Sequence, residues 1–247
     1  MKPDEKTRAR MYLGAVLPAL EILSHHDPAA SSLAAQWNGS ILFRIGLQGP
    51  RTTLTFHQGT VEVFPSQMPG ADIILFFPTY AMLTRLFTGK PSIPVLCKGL
   101  SKFRGLRMFT RLARHLEQSL AGHGSDVVTR SIMMLTIVAR AIAILAEHEG
   151  ESRQLSTHLS GVAEFRITNT AAINIDFCAG KPIVRTGHAS LPDFLLEFTS
   201  PELFLEVAED RVDVMAQACL ERIHLKGDLH MGQTISVFLD KVSHYLQ

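Results

Sequence analysis

The sequence predicts an α+β chain made of two tandem units, residues 1–122 and 123–247, each a mostly antiparallel sheet covered by helices. Three observations predict it. The chain repeats itself at an offset of about 122 residues. Short alternating or β-branched segments are punctuated by Gly and Pro turn signals. Each unit opens and closes on a helical apolar pattern.

The repeat is read residue by residue. Thr7-Arg8 falls on Thr129-Arg130, Met11 on Met133, Leu23 on Leu145 and His26 on His148. Gly39 falls on Gly161, and Phe43-Arg44-Ile45 on Phe165-Arg166-Ile167. The offset then drops by one, pairing Phe56 with Phe177, Gly59 with Gly180 and Asp72 with Asp193. Near the end of each unit it is read as returning to its first value, setting Phe103-Arg104-Gly105 on Leu225-Lys226-Gly227. Coincidences would not keep the element order, so the reading is a tandem duplication.

The first helix of each unit spans Asp4 to His25, with a kink expected at Pro18, and Ser125 (as N-cap) to His148. The second of these is apolar nearly all round, which marks a helix buried between layers or between domains. Its longest apolar run, Ile132 to Ala146, is too short for a bilayer and contains Arg140. Strands are predicted at Ile41 to Leu47, Thr52 to His57 and Val61 to Phe64. Their counterparts are Ala163 to Asn169, Ala172 to Cys178 and Pro182 to Arg185, turned at Ala179-Gly180. In Asp193 to Phe198 a period of two puts Phe194, Leu196 and Phe198 on one buried face, as it does Ile73, Leu75 and Phe77. Helices follow at once: Ser200-Pro201-Glu202 supplies a cap, a proline at the first helical position and a first-turn acid, and Thr79 takes the same cap position. Gly89 to Leu96 and Asp210 to Gln217 are read as irregular. The stretch Glu221 to Leu229 (ERIHLKGDL) then reads as strand, glycine break and Asp228 at the start of a closing helix; Gly99 to Leu106 is its weaker echo.

Composition fits a globular chain, with 46% hydrophobic and 19% charged residues. Residues 1–122 hold 14 Lys+Arg against 7 Asp+Glu, a balance of +7; residues 123–247 hold 10 against 16, a balance of −6. Either these are independent solvated surfaces, or the halves attract, or the basic half faces an anionic surface. Cys97, Cys178 and Cys219 have no metal-ligand spacing and, with no secretory leader, suggest a reducing cytoplasm. The expectation is a cytoplasmic protein.

Glu164-Phe165-Arg166-Ile167, the Asp-led strand Pro192-Asp193-Phe194-Leu195-Leu196, the capped helix after it and Ile223-His224-Leu225-Lys226-Gly227-Asp228-Leu229 together resemble the sterol carrier protein 2 family of lipid-binding domains. The resemblance covers residues 160–247 best and 38–122 less specifically. It implies a sheet-and-helix fold around an apolar tunnel for a sterol, fatty acid or acyl-CoA. The residues of this chain on predicted inward faces are then Phe56, Leu75, Phe77, Leu83 and Phe87, and Phe177, Leu196, Phe198, Phe204 and Val207. Each serves either as cavity wall or as plain core.

No P-loop, dinucleotide fingerprint or nucleophile elbow occurs, so neither an enzyme nor a cofactor is expected. His25-His26 reads as a helix C-terminus, not a metal site. Asp72 and Asp193 read as turn-stabilising side chains, and Arg44 and Arg166 as solvated or salt-bridged, or as head-group contacts. In the basic segment Lys98 to Arg114, the residues Arg107, Arg111 and Arg114 share a helix face, with Leu106, Phe109, Ala113, Leu116 and Leu120 assigned to the other side. That face is either a solvated side of a core helix or a contact for anionic membrane or acyl-CoA phosphate. No aromatic residues interleave it, which argues against nucleic acid. The expected function is non-enzymatic lipid binding or carriage. The alternative is an accessory scaffold of a lipid or isoprenoid-quinone pathway with one or both cavities filled.

Overall fold

The computed structural model describes residues 3–99, 101–178 and 180–246. Ala179 of the predicted turn and Leu100 of the predicted Gly99–Leu106 stretch lie outside them. The chain divides into two compact units, Met1–Ser125 and Asp126–Gln247.

In the first unit Asp4 caps helix α1 (Glu5–Met11) by accepting from the Lys6 and Thr7 amides. A π-helical turn (Tyr12–Val16) follows, then α2 (Ala19–His26). The single helix expected from the sequence is therefore interrupted before Pro18. Proline has no N–H and its ring excludes the carbonyl four residues back, so the ladder widens ahead of it. The Leu17 amide reaches the Tyr12 carbonyl at 3.0 Å, five residues away. Asp27-Pro28 then starts α3 (Pro28–Ala34), with Asp27 Oδ1 accepting from the Ala29 amide at 2.7 Å. Helix α3 is an addition to the elements expected from the sequence, and its start carries the local signal of an acid followed by proline.

The first sheet has the order β3-β2-β1-β4-β5, from β1 (Gly39–Ile45), β2 (Arg51–His57), β3 (Thr60–Phe64), β4 (Ile73–Phe77) and β5 (Val95–Lys98). All pairs are antiparallel except β1 with β4, which is parallel. Thr79 caps α4 (Tyr80–Phe87), and α5 (Phe103–Leu120) closes the unit. Strand β1 begins and ends two residues before its expected bounds, because Gly46 turns into the left-handed region and donates to the Phe77 carbonyl at 2.9 Å.

The second unit opens on α6 (Val127–His148), whose N-cap is Asp126 and not Ser125: Asp126 Oδ1 accepts from the Thr129 amide at 2.8 Å. The whole helix, 22 residues, is long and apolar enough to cross a membrane, unlike the shorter run weighed above. Its buried side, which includes Met133, Leu135, Ile142 and Leu145, packs within its own unit. Its neighbours there are α7 (Gly150–Ser156), β7 (Ala171–Cys178), β8 (Lys181–Thr186), α8 (Pro201–Ala208) and α10 (Leu229–Leu246). The second sheet has the order β10-β9-β6-β7-β8, with β6 (Gly161–Ile167), β9 (Phe194–Phe198) and β10 (Ile223–Gly227), and its single parallel pair is β6 with β9. A short helix α9 (Val214–Cys219) begins inside the segment Asp210 to Gln217 read as irregular and runs two residues past it.

The pairing of the two sheets revises the end of the repeat. Lys226-Gly227 closes β10 beside Leu195-Phe194, and Lys98 closes β5 beside Ile74. A Cβ on Gly99 would sit 2.8 Å from the Asp72 carbonyl, and one on Gly227 would be closer still to the Asp193 carbonyl. Both glycines have positive φ, +95° and +103°. The counterpart of Lys226-Gly227 is thus Lys98-Gly99. Gly105 instead lies inside α5 against the Trp37 indole. The α9 segment, which the first unit lacks, lengthens the second unit just before its last strand.

Candidate functional site

The sheet faces place the expected apolar residues together. In the first unit Phe56, Leu75, Phe77 and Leu83 are buried and Phe87 is half-buried. Parallel register sets Phe43 beside Leu75 and Ile45 beside Phe77. The interior is then closed by rings. Phe77 stacks on Phe43 at 6.3 Å, Phe43 meets Phe109 edge-on at 5.4 Å, Phe56 meets Trp37 at 5.6 Å and Phe87 stacks on Tyr12 at 4.8 Å.

In the second unit Phe177, Leu196, Phe198 and Phe204 are buried and Val207 is half-buried. Among the described residues one ring pair occurs here, Phe198 against Phe204 at 5.2 Å. The repeat accounts for two of the pairs: Tyr12, Trp37 and Phe87 fall on Met134, Leu159 and Ala208, whereas Phe43 and Phe77 fall on Phe165 and Phe198. Flexible or small side chains stand where the first unit has rings, and such positions repack at lower cost.

The other sheet face differs more. Glu164 is fully buried on β6, where the repeat has Leu42. Its Oε1 accepts from Arg166 Nε at 2.9 Å and lies 3.0 Å from His188 Nδ1, while Oε2 accepts from the Ala189 amide at 2.7 Å. Arg166 also reaches Glu197 at 3.5 Å. Burial pushes the Glu164 carboxyl up, but the Ala189 amide, His188 and Arg166 together hold it below its ordinary value. Asn174, opposite Glu164, donates to the Gly187 carbonyl at 3.0 Å, so the loop before β9 is latched to the sheet. In the first unit Arg44 lies over Phe76, 5.9 Å from the ring centre, and donates to the Gly46 carbonyl at 3.3 Å.

Asp72 and Asp193 are not local turn residues. Asp72 Oδ2 accepts from the Ser40 amide at 2.9 Å and Asp193 Oδ2 from the Val162 amide at 2.7 Å, so each carboxylate ties the parallel strands at their start. Asp72 also pairs with Lys102, whose hydrogen bond lowers its carboxyl. Asp228 caps α10 by accepting from the His230 amide at 2.8 Å.

The buried stripe of α5 is Gly105, Met108, Leu112, Leu116 and Ser119, so of the residues assigned to the apolar side only Leu116 is fully buried. Each unit also carries a surface cleft. One, of about 270 Å³, is lined by Gln36, Arg104, Arg107, Met108 and Arg111. The other, of about 250 Å³, is lined by Glu147, His148, Arg153, Thr157, Gly180 and Lys181. Neither is lined by any of the ten expected apolar residues. The first gathers Arg107 and Arg111 but not Arg114, and adds Arg104 and Gln36. Gln36 was missed because its position follows from α3.

An exposed apolar margin lies along the last elements of the second unit. Met215, Leu220, Leu225 and Leu229 are all exposed, and α9 has no buried residue. Among the described residues no cluster of three His, Cys, Asp or Glu could hold a metal ion.

The model of the SCP-2 sterol transfer family matches residues 142–240, all within the second unit. No curated protein matches the chain. Among solved structures, the sterol carrier protein domain 2 of Helicoverpa armigera is similar at 14% identity, covering 45% of this chain and 89% of that one, with a TM-score of 0.37. The apo form of sterol carrier protein 2 from Yarrowia lipolytica has 15% identity over 43% of this chain and 90% of its own, with a TM-score of 0.34. A structure titled UbiJ-SCP2 ubiquinone synthesis protein has 15% identity over 43% of this chain and 95% of its own, also at 0.34.

Proposed function

We propose that this chain is a non-enzymatic lipid-binding protein of two sterol carrier protein 2-like domains. In this reading the second domain takes up a sterol-like, fatty-acyl or acyl-CoA ligand between its sheet and helices. The observation that carries the proposal is the family match over residues 142–240, falling on the unit whose apolar interior is less filled by rings. Phe177, Leu196, Phe198, Phe204 and Val207 then form the ligand wall. Met215, Leu220, Leu225 and Leu229 mark the side of access, since α9 has no buried residue to hold it down. Each methylene transferred from water contributes about 0.8 kcal/mol, which offsets the cost of parting packed side chains. The three cysteines are unpaired, which suits the proposed cytoplasmic setting.

Native mass spectrometry of the purified chain, with lipid extraction and titration by a fluorescent fatty acid, tests this. A co-purifying lipid and saturable uptake are expected; absence of both ends the proposal. A second reading, an accessory scaffold of a lipid or isoprenoid-quinone pathway, is favoured for the first unit by its four ring pairs. It predicts that the first unit takes up no apolar ligand.

A further inference from the structure

The cleft on the first unit is a different kind of site from the apolar interiors. Arg104, Arg107 and Arg111 occupy positions i, i+3 and i+7 of α5, one stripe of the helix. Arg114 continues that stripe but sits about 4.5 Å farther along the axis than Arg111, beyond the cleft. Among the described residues none of the three lining arginines has a carboxylate partner, and the one polar contact is Arg111 Nη1 donating to Gln36 Oε1 at 3.4 Å. The neighbouring Lys102, by contrast, is already neutralised by Asp72.

The opposite wall is held in place at two points. The indole of Trp37 lies against Gly105, where a Cβ would come 2.7 Å from Trp37 Cε2. At the other end of α3, His115 Nε2 lies 2.8 Å from Asp27 Oδ2. These two clasps fix α3 across α5 and set Gln36 beside the arginine stripe over a buried Met108. The resulting space is about 270 Å³, roomy enough for a group larger than a water. Helix α10 of the second unit contains no arginine, so nothing comparable is built there.

Three unneutralised guanidiniums converging on one concavity repel each other and focus a positive potential. Guanidinium forks match the oxygens of a phosphate group and bind it by paired, charge-assisted hydrogen bonds. We propose that this cleft binds a phosphate group, carried either by a soluble diphosphate-type compound or by a lipid headgroup, with Arg104, Arg107 and Arg111 as ligands and Gln36 as an orienting amide.

The test uses the full chain with two probes: inorganic pyrophosphate by calorimetry, and phosphatidylcholine vesicles with and without phosphatidic acid by flotation. Saturable binding of either probe, weakening as salt rises, is expected; pyrophosphate alone points to a soluble ligand, and phosphatidic acid vesicles alone to a headgroup. The combined variant Arg104→Gln, Arg107→Gln, Arg111→Gln should weaken binding by about tenfold or more, and Arg114→Gln by less than about twofold. All three sites are exposed, so the fold is retained, with circular dichroism as the check. Fatty-acid uptake should be unchanged in the triple variant, which separates this site from the apolar one. Failure of both probes to bind, unchanged binding by the triple variant, or an equal loss in Arg114→Gln would overturn the proposal.

Discussion

The two units repeat one sheet topology and differ in what lies on each side of their own sheet. On one face the first unit packs Tyr12, Trp37, Phe43, Phe56, Phe77, Phe87 and Phe109 ring against ring, where the second has a single pair among the described residues. On the other face Leu42 gives way to Glu164 and its partners. Even a shared device is built differently. Asp27 caps α3 and meets His115 on the last helix; Glu149 caps α7 and meets Lys241 on the last helix at 2.9 Å. The strand order tolerates these changes because backbone pairing and two carboxylate-to-amide ties define it, leaving the faces free to specialise.

The largest expected effect tests that common frame. Gly99→Ala and Gly227→Ala each drive a Cβ into the carbonyl before the neighbouring strand, at positive φ. Each should cost about 3–4 kcal/mol in its own unit, read by hydrogen exchange resolved by unit. Tolerance of either would undo the equivalence of Lys98-Gly99 with Lys226-Gly227.

Next, Glu164→Leu gives the second unit the residue of the first. It leaves the Ala189 amide without its acceptor and Arg166 with Glu197 alone, and should cost about 3 kcal/mol, freeing the loop at His188 to exchange. Leu42→Ala should instead act as a plain cavity, leaving the first unit's loops protected.

A smaller effect concerns pH. Burial pushes the Glu149 carboxyl up, but Ser152 and Lys241 outweigh it and bring it down to about 2 from 4.5. A depressed carboxyl contributes stability that is complete above its unfolded value and is lost as pH falls through the folded one. Roughly 2–3 kcal/mol of the second unit's stability should therefore disappear between about pH 4.5 and 2. Glu149→Gln should flatten that part of the acid unfolding curve; an unchanged curve would remove the clasp from the account. Smallest, Asp228→Ala should cost about 1 kcal/mol as a lost cap, seen in exchange of the first turn of α10.

The sheet was legible because its inward residues alternate and its turns carry glycine; Phe194, Leu196 and Phe198 are buried as their spacing requires, although Leu195 on the other face is buried too. The cap residues Thr79 and Ser200 were legible for a similarly local reason. Asp27-Pro28 carried an equally local signal that went unread. What could not be read locally depends on pairing. Asp72 reaches Ser40 across 32 residues, and Glu164 accepts from the Ala189 amide across 25. The α9 segment shifted the repeat where glycine alone could not reveal it, since Gly99 and Gly105 both precede or begin the same helix. Gln36 joined the arginine cleft through the packing of Trp37 on Gly105, a contact no spacing announces.

The central claim is that the second unit, and not the first, holds an apolar ligand. Crosslinking of the full chain with a photoactivatable fatty acid, followed by peptide mapping, tests it directly. The label is predicted on Ala171–Cys178, Phe194–Phe198 and Pro201–Ala208. Label concentrated on Gly39–Ile45, Ile73–Phe77 or Tyr80–Phe87, or no label above that of an unrelated protein, would contradict it.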